Sequence, residues 1–264
     1  MVPFDSGAET GILVVGHGSR DPGSNLPLPG LCREVALRLR GTPVQPCYLE
    51  LARPTIDEGL TALSRRGVTR TIVVPLLLTA GRHVRFDIPS EVGRSLARLS
   101  NMLVCFTAHL GSHPQLVSIA NSRLAETLDG RPARLSHTKY VLVARGSRDP
   151  LVRGEVSRWA ASRRFEDREA DFLPCFLSLT QPTLDDGLQR AMADLPARIV
   201  VQPHLLYPGR LLSQIRSRVE RLGKQFPHIE WVSVGALGPD PRLVDCVLDL
   251  AVQASGNHFT REAG

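Results

Sequence analysis

Apolar residues along this chain form short continuous runs that alternate with longer amphipathic stretches. The run at 11–15 stops abruptly at a polar turn, and the run at 71–78 is apolar almost throughout. Short runs rich in β-branched residues are typical of strands covered on both faces in a parallel sheet. In the stretches between them apolar residues recur at helical spacing, as at Leu31, Val35 and Leu39. The pattern therefore predicts an α/β protein in which strands and helices alternate.

Each half of the chain is predicted to hold four strands and four helices. The strands are predicted at 11–15, 44–51, 71–78, 102–106, 140–144, 171–177, 199–206 and 230–234. The helices are predicted to begin near 29 and 55 and to cover 91–99, 116–128, 156–161, 184–193, 211–222 and 241–254. A polar loop is predicted at 79–89, and the tail at 255–264 is predicted to be frayed.

The same order of motifs occurs twice. GHGSRDP at 16–22 is answered by ARGSRDP at 144–150, a separation of 128 positions that further matching residues keep. Near the ends of the halves, Leu110-Gly111 matches Leu237-Gly238 at 127. We therefore predict a tandem duplication, with an N-terminal domain at 1–130, a C-terminal domain at 139–264 and a polar linker at 129–139. Each copy is long enough to bury a core of its own. The matching pairs include His17 with Arg145, Pro54-Thr55 with Pro182-Thr183, and Pro75 with Pro203.

The composition is that of an ordinary globular protein, with 42 % hydrophobic and 22 % charged residues. No apolar run approaches the ~20 residues that span a bilayer, and the N-terminal segment lacks a basic stretch followed by an apolar one. The five cysteines are widely scattered, without the close pairs of a zinc or redox motif. We therefore expect a cytoplasmic protein that has no membrane partner and whose cysteines are buried thiols.

The net charge is +6, and nearly all of the basic residues are arginines, because Lys139 and Lys224 are the only lysines. The planar guanidinium group suits carboxylates and phosphates, so a polyanionic ligand is expected. Nucleic acid is one such polyanion. The chain, however, has few aromatic residues, no basic block and no recognisable nucleic-acid module. We therefore expect no nucleic-acid partner.

Polar residues follow the first three predicted strands: His17, Glu50 and His83. In an open parallel sheet the carboxyl ends of the strands meet at one edge, where ligands bind. Two imidazoles and a carboxylate suit Fe²⁺, Co²⁺, Ni²⁺ or Zn²⁺, and they also accept protons near neutral pH. Each residue by itself also fits a capping or solvent-facing role. Because the second half replaces them with Arg145, Ser178 and Leu211, the fold does not require them, and the first half is predicted to hold the site.

Other polar residues near the same edge are weaker candidates. GHGSR lacks the spacing of a dinucleotide or P-loop motif, and neither Ser19 nor Ser147 sits in the GxSxG elbow of a hydrolase. His109 and His113 are expected in surface or capping positions, and His204 is an accessory candidate. Six arginines near the strand ends would attract an anion: Arg20, Arg82, Arg85, Arg145, Arg148 and Arg210.

Four segments of the first half carry a more specific signal. They are GHGSRDP at 16–22, LELARPT at 49–55, VVPLLLTAGRHVRFDIP at 73–89 and LGSHPQL at 110–116. In this order and spacing they resemble the sirohydrochlorin chelatases, small enzymes that insert a divalent metal into a tetrapyrrole. The resemblance covers nearly all of 11–128, and a degenerate copy covers 140–254, as in the long, two-domain form of the family.

The resemblance implies two tandem chelatase-like, doubly wound α/β domains, each a mainly parallel four-stranded sheet flanked by helices, with the macrocycle in a cleft between them. It implies that His17 and His83 bind the metal and take the pyrrole protons, assisted by Glu50. The carboxylates of the tetrapyrrole would be bound by the six arginines together with Ser19 and Ser147. Arg145 and Leu211 depart from the histidine pattern, which implies a second domain that acts as substrate wall.

The metal is then a substrate, Fe²⁺ or Co²⁺ with Ni²⁺ as a further option, and no permanently bound cofactor is expected. The histidine-rich stretch of some cobalt-specific members is missing from this sequence, which favours iron. Because one chain supplies both walls, we expect a monomer. Two other classes stay open, namely a non-catalytic carrier of a tetrapyrrole or metal and an anion-binding regulatory module.

Overall fold

The structure is a computed structural model that describes residues 10–131, 137–165, 168–169 and 171–256. Strands and helices alternate in it, as the hydrophobic pattern predicted. The first half contains β1 (Thr10–Gly16), α1 (Pro27–Arg38), β2 (Val44–Tyr48), α2 (Ile56–Arg65), β3 (Arg70–Pro75), α3 (Ile88–Leu96), β4 (Leu103–Phe106) and α4 (Gln115–Thr127). The second half contains β5 (Thr138–Ala144), α5 (Pro150–Ala161), β6 (Arg164–Phe165), β7 (Arg168–Glu169), β8 (Phe172–Phe176), α6 (Leu184–Met192), β9 (Arg198–His204), α7 (Arg210–Gln225), β10 (Glu230–Ser233) and α8 (Arg242–Ser255).

Each half forms one four-stranded sheet in which all strands are parallel. The strand orders are β2-β1-β3-β4 and β8-β5-β9-β10. The two orders are identical once each strand is replaced by its counterpart in the repeat. The predicted α/β class with two tandem, mainly parallel sheets is therefore confirmed. The short antiparallel pair β6 and β7 was not predicted.

The final helices of the two halves are exchanged. Contacts group residues 10–113 with 240–256 into a first compact unit, and residues 114–239 into a second. The predicted domains 1–130 and 139–264 follow the sequence repeat, whereas the packing moves α4 into the second unit and α8 into the first. The boundary between the sequence repeats therefore differs from the boundary between the compact units.

Specific contacts hold each exchanged helix in its unit. In the first unit α8 lies on β3, β4 and α1, and Asp245 of α8 pairs with Arg38 of α1. In the second unit the carbonyl of Ala120 in α4 accepts a buried hydrogen bond of 2.7 Å from the side-chain amide of Gln202 in β9. A buried hydrogen bond of this kind is costly to break, because each partner would otherwise be left unsatisfied.

Each unit has a separate apolar core between its sheet and helices. In the first unit the core includes Leu13, Val15, Leu60, Val73, Ile88 and Val92, and in the second it includes Val141, Val143, Leu188, Ile199, Val201 and Ile215. All five cysteines are buried free thiols, which confirms the interpretation from the sequence. Among the described residues, no helix is long and apolar enough to cross a membrane.

A capping box starts the helix after the second strand in each half. The hydroxyl of Thr55 accepts a hydrogen bond from the Glu58 amide, and the Glu58 carboxylate accepts one from the Thr55 amide. Thr183 and Asp186 repeat the arrangement in the second half. Two backbone donors of the first turn are satisfied in this way, so the chain reverses after the strand at a defined residue, as the Pro-Thr pairs predicted.

The predicted loop at 79–89 differs from the structure. Residues His83–Asp87 form a π-helical turn that continues directly into α3. Pro89 stands in the first two positions of α3, directly after the π-helical turn, and its fixed φ is compatible with a helical backbone. The centre of the linker at 132–136 and most of the tail, 257–264 with His258, lie outside the described residues.

Candidate metal centre

His17, Glu50 and His83 come from three neighbouring strands of the first unit. His17 directly follows β1, Glu50 lies two residues after β2, and His83 begins the π-helical turn after β3. In the sheet β1 lies between β2 and β3, and the three strands are parallel. Their carboxyl ends therefore meet at one edge, which brings together the three residues selected from the sequence.

Backbone contacts join the loop after β1 to the loop after β2. The Leu49 amide donates to the Gly16 carbonyl at 2.9 Å, and the Glu50 amide donates to the His17 carbonyl at 3.0 Å. Gly18 has φ +91°, and a Cβ atom there would lie 1.8 Å from the carbonyl oxygen of Glu50. Only glycine fits at so close an approach, so Gly18 allows the two loops to meet and His17 to stand beside Glu50.

The three side chains converge at this edge. Their potential ligand atoms all lie within 4.8 Å of one another, and the imidazole rings of His17 and His83 meet edge to face with centroids 5.0 Å apart. Two ligands about 2.1 Å from one ion are at most about 4.2 Å apart. The side chains of Glu50 and His83 are 44 % and 41 % exposed, so they can rotate by the small amount needed. The set can therefore hold one first-row divalent ion.

Oxygen acceptors define the orientation of both imidazoles. His17 Nδ1 lies 3.0 Å from the carbonyl oxygen of Gly18, and His83 Nδ1 lies 2.8 Å from Oδ2 of Asp87. Because a carbonyl or carboxylate oxygen can only accept, Nδ1 is assigned as the protonated nitrogen of each neutral ring. The lone pair is then on Nε2, the atom of His17 that lies 3.5 Å from Oε1 of Glu50. Oxygen partners of this kind are common behind histidines that bind metals.

Asp87 is a site residue that the sequence analysis missed. It lies four residues after His83, and both belong to the same π-helical turn, a type of turn that is frequent at functional sites. If 79–89 were an irregular loop, nothing would bring His83 and Asp87 together. In a helical turn, residues four positions apart lie on the same face. One signal was available in the repeat, because the position 128 residues after Asp87 holds Ile215, which is buried in the second core.

The predicted substrate-binding residues of the first unit lie around this edge. Arg82 donates from Nε to Oδ1 of Asp87 at 3.2 Å, and Arg85 donates from Nε to the Ala80 carbonyl at 3.1 Å. Arg20 is exposed. The Ser19 hydroxyl accepts from the Asp21 amide at 3.1 Å, so it stabilises its own turn. Their roles toward a substrate stay predictions.

The equivalent edge of the second unit carries a different set of groups. The Ser178 hydroxyl donates to the Arg145 carbonyl at 3.2 Å, and the Ser147 hydroxyl accepts from the Asp149 amide at 3.1 Å. Three arginines are exposed at this edge: Arg145 and Arg148 after β5, and Arg210 at the start of α7. Within the described residues, the first unit alone brings three metal-ligating side chains together.

The remaining candidate histidines lie elsewhere. His109 and His113 are buried, so the surface alternative was wrong. The capping alternative fits their positions, because they are the N-cap and C-cap residues of the short 3-10 turn Leu110–Ser112. The Nδ1 atom of His109 lies 3.3 Å from the Leu77 carbonyl, and Nε2 of His113 lies 3.5 Å from Oδ2 of Asp249. His204 is buried at the end of β9 with its ring 4.3 Å from that of Trp159.

Comparison with known proteins identifies the family. A family model described as CbiX matches the chain twice, at residues 11–127 and 139–254. A sirohydrochlorin ferrochelatase of Priestia megaterium is 31 % identical over 80 % of this chain and 78 % of its own length. The chain belongs to the CbiX family of sirohydrochlorin chelatases. It is a two-domain member, since each half carries one match.

Two further relatives align with both halves of the chain. A sirohydrochlorin cobaltochelatase of Priestia megaterium is 24 % identical over 88 % of this chain and 76 % of its own length. The solved structure of SirB from Bacillus subtilis with Fe³⁺ superposes with a TM-score of 0.83, at 26 % identity over 94 % of this chain and 96 % of that chain. The tandem arrangement of this chain is thus shared with a solved relative along nearly its whole length.

Proposed function

We propose that this protein inserts Fe²⁺ into sirohydrochlorin to give sirohaem, with Co²⁺ as its second metal substrate and Ni²⁺ as a third. The observation that carries the proposal is the convergence of His17, Glu50 and His83 within 4.8 Å. Relatives named ferrochelatase and cobaltochelatase both match the chain, and the donor set suits either metal. Iron is placed first because the sequence lacks a histidine-rich stretch.

Metal insertion sets two chemical demands on a site. The incoming ion must exchange water ligands for ring nitrogens, and two pyrrole N–H groups must each lose a proton. The products are the metallated macrocycle and two protons, so no oxidant or reductant is consumed. Donors for the metal must therefore stand beside bases that accept protons. His17, His83 and Glu50 offer both kinds of group at one edge of one sheet, which supports the proposal.

We assign separate roles to the residues of the site. His17 and His83 present Nε2 to the metal, while Gly18 and Asp87 hold the opposite ring nitrogens in the protonated form. Glu50 accepts one pyrrole proton, because its carboxylate is close to the metal donors and 44 % exposed. Nε2 of a histidine accepts the second proton as the metal leaves that nitrogen for the macrocycle. Solvent access at Glu50 gives the proton a route away from the site.

The exposed arginines are proposed to bind the carboxylates of the macrocycle. Three would act from the first unit, namely Arg20, Arg82 and Arg85. Three would act from the second, namely Arg145, Arg148 and Arg210. The guanidinium group matches a carboxylate geometrically and keeps its charge at all working pH values. The carboxylates stand at the periphery of the macrocycle, away from the reacting nitrogens, so these contacts should contribute to binding more than to turnover.

The test is to mix the purified protein with metal-free sirohydrochlorin and Fe²⁺, Co²⁺ or Ni²⁺ under anaerobic conditions and to follow the absorbance of the macrocycle. The proposal expects each metal to be inserted faster than in the uncatalysed control, with the highest kcat/KM for Fe²⁺. Binding of sirohydrochlorin without acceleration would instead indicate a carrier. No binding of either substrate would contradict both functions.

The proposal keeps two expectations from the sequence, a cytoplasmic location and a monomeric state. A single chain supplies one unit with a metal-donor set and one unit with exposed arginines, so a second chain is not needed to complete the chemistry. Light scattering of the purified protein should give the mass of one chain, 28.9 kDa. A mass of two chains would contradict this part of the proposal.

A further inference from the structure

Leu51 and Leu179 share a backbone conformation that leucine rarely adopts. Leu51 has φ +63° and Leu179 has φ +61°, which places both in the left-handed region. A side chain with a Cβ atom is disfavoured there because it crowds the following carbonyl oxygen, whereas glycine and asparagine are tolerated. The two residues occupy the same position of the repeat, so the same strain occurs in each half.

Neither leucine gains much from packing in its own unit. The side chain of Leu51 is 50 % exposed and that of Leu179 is 61 % exposed. Apolar surface left in water contributes no stability. Each residue therefore opposes folding through backbone strain without the burial that usually offsets it. Strained residues persist where the surrounding structure holds them in place, and they cluster at active sites and ligand-binding sites.

Both leucines follow residues that are held firmly by the backbone. Leu51 comes after Glu50, whose amide donates to the His17 carbonyl at 3.0 Å, and Leu179 comes after Ser178, whose amide donates to the Arg145 carbonyl at 3.1 Å. Each leucine thus stands at the carboxyl edge of its own sheet, the edge where ligands bind in parallel sheets.

The repeat separates the role of these leucines from metal binding. The second half has lost His17, Glu50 and His83 at the equivalent positions, yet it keeps a strained, exposed leucine. If the leucine served to hold the metal, the second half would have no reason to keep it. If the leucine contacts the tetrapyrrole, it can serve in both halves. The apolar face of a flat tetrapyrrole is the part of that substrate that a leucine side chain suits.

We propose that Leu51 and Leu179, each at the edge of its own unit, contact the apolar face of the tetrapyrrole ring. The inference rests on the proposed function. To deliver its nitrogens to a metal held by His17 and His83, the ring must lie over the metal centre and therefore beside the residue that follows Glu50. The left-handed backbone projects the side chain outward at that point instead of into the core.

The chain contains a matched control for the backbone effect. Leu195 also has a positive φ, +47°, and its side chain is 80 % exposed. It lies between α6 and β9, so it stands at the amino edge of the second sheet, away from the ligand edge. Replacing it relieves the same strain and removes the same exposed apolar surface, without touching the proposed binding position.

The experiment compares Leu51→Asn, Leu179→Asn and Leu195→Asn in the full chain, because asparagine fits the left-handed region. Titration with metal-free sirohydrochlorin measures Kd, and thermal unfolding measures Tm. We expect Kd to rise about fivefold in Leu51→Asn and in Leu179→Asn, from the loss of partial leucine burial. We expect Tm to stay level or rise in all three variants, and Leu195→Asn to keep the wild-type Kd. Leu51→Met should restore most of the affinity.

Opposite results would overturn the proposal. Wild-type Kd values in the Leu51 and Leu179 variants would show that these leucines do not contact the ring. A fall in Tm in these two variants, but not in the Leu195 variant, would show that the leucines stabilise the fold instead. Loss of a dimer in these variants would assign them to self-association. If the wild-type protein does not bind sirohydrochlorin, the proposed function itself is wrong. If the wild-type protein binds sirohydrochlorin and inserts metal, and the leucine variants bind with the same Kd, only the proposed leucine contact is wrong.

Discussion

His83 Nδ1 lies 2.8 Å from Oδ2 of Asp87, one helical turn further along the same π-helical segment. The hydrogen bond fixes the protonated nitrogen of the imidazole and leaves the lone pair on Nε2. The second half holds Leu211 and Ile215 at the two equivalent positions. Histidine and carboxylate are thus both present in the first half and both missing from the second, which indicates that they work as a pair.

Replacement of Asp87 by alanine should therefore lower the rate of metal insertion by about 10- to 100-fold, the usual cost of losing a hydrogen-bond partner behind a metal ligand. Asp87→Asn should be milder, because an amide oxygen can still accept from Nδ1. Steady-state rates and metal affinity measure both effects. Glu91→Gln is the matched control, since Glu91 lies on the adjoining helix and pairs with Arg94. Equal rates in Asp87→Ala and Glu91→Gln would contradict the role of Asp87.

The two histidines proposed to bind the metal should be the most sensitive positions of the protein. His17→Ala and His83→Ala should each abolish most turnover and leave the fold intact, because both side chains stand at a sheet edge outside the core. Glu50→Gln should slow insertion less severely, since water can take over as proton acceptor. Turnover at saturating metal tests this, with the exposed His228→Ala as control. A histidine variant that keeps the wild-type rate at saturating metal would show that its residue was wrongly assigned.

Arginine replacements in the second unit should affect binding. Arg145→Ala and Arg148→Ala should raise the Michaelis constant for sirohydrochlorin more than they lower kcat, because contacts remote from the reacting nitrogens are equal in ground and transition states. Added salt should weaken binding in the wild type and less so in the variants. Arg190→Ala, an exposed replacement in the last turn of α6, is the control. Affinity and salt response equal to the wild type in both variants would argue against this role.

The cysteines should be inert toward alkylating reagents in the native protein. Burial raises the pKa of Cys32 to about 12 and the pKa of Cys105 to about 11. The thiolate is the reactive form, so a raised pKa leaves almost none of it at pH 8, and reactivity should increase only toward strongly alkaline pH. Mass spectrometry after iodoacetamide treatment should find no label in the native protein and five labels after denaturation. Rapid labelling of any native cysteine would contradict the packing described here.

The exchange of final helices should prevent either half from folding alone. A fragment of residues 1–130 lacks α8, which covers β3, β4 and α1 in the first unit, and a fragment of 139–264 lacks α4. Each fragment would expose an apolar surface and should lack a cooperative thermal transition. Co-expression of the two fragments should restore a folded complex with chelatase activity. A single fragment that unfolds cooperatively at the wild-type Tm would show that the exchange is dispensable.

The local structure was largely predictable from the sequence. Short β-branched runs, helical periodicity and the Pro-Thr helix starts depend on neighbouring residues, and the repeat doubled each signal. The parallel sheet then placed His17, Glu50 and His83 at one edge, because strands joined by helices all point the same way. The residues of the candidate metal centre could be selected by comparing the two halves, since a duplicated fold shows which side chains it can do without.

Tertiary structure decided the features that depend on distant or strained groups. The apolar face of α8 predicts that this helix packs against a sheet. Because the two halves have the same pattern, the sequence offers two equivalent sheets, and only the packing of the whole chain shows which one α8 covers. Asp87 became visible as the partner of His83 once the loop at 79–89 proved to be a helical turn. The left-handed conformation of Leu51 is set by loop contacts to the Gly16–His17 backbone. Local sequence determines which elements form, whereas the burial and hydrogen bonding of the whole chain determine which of them meet.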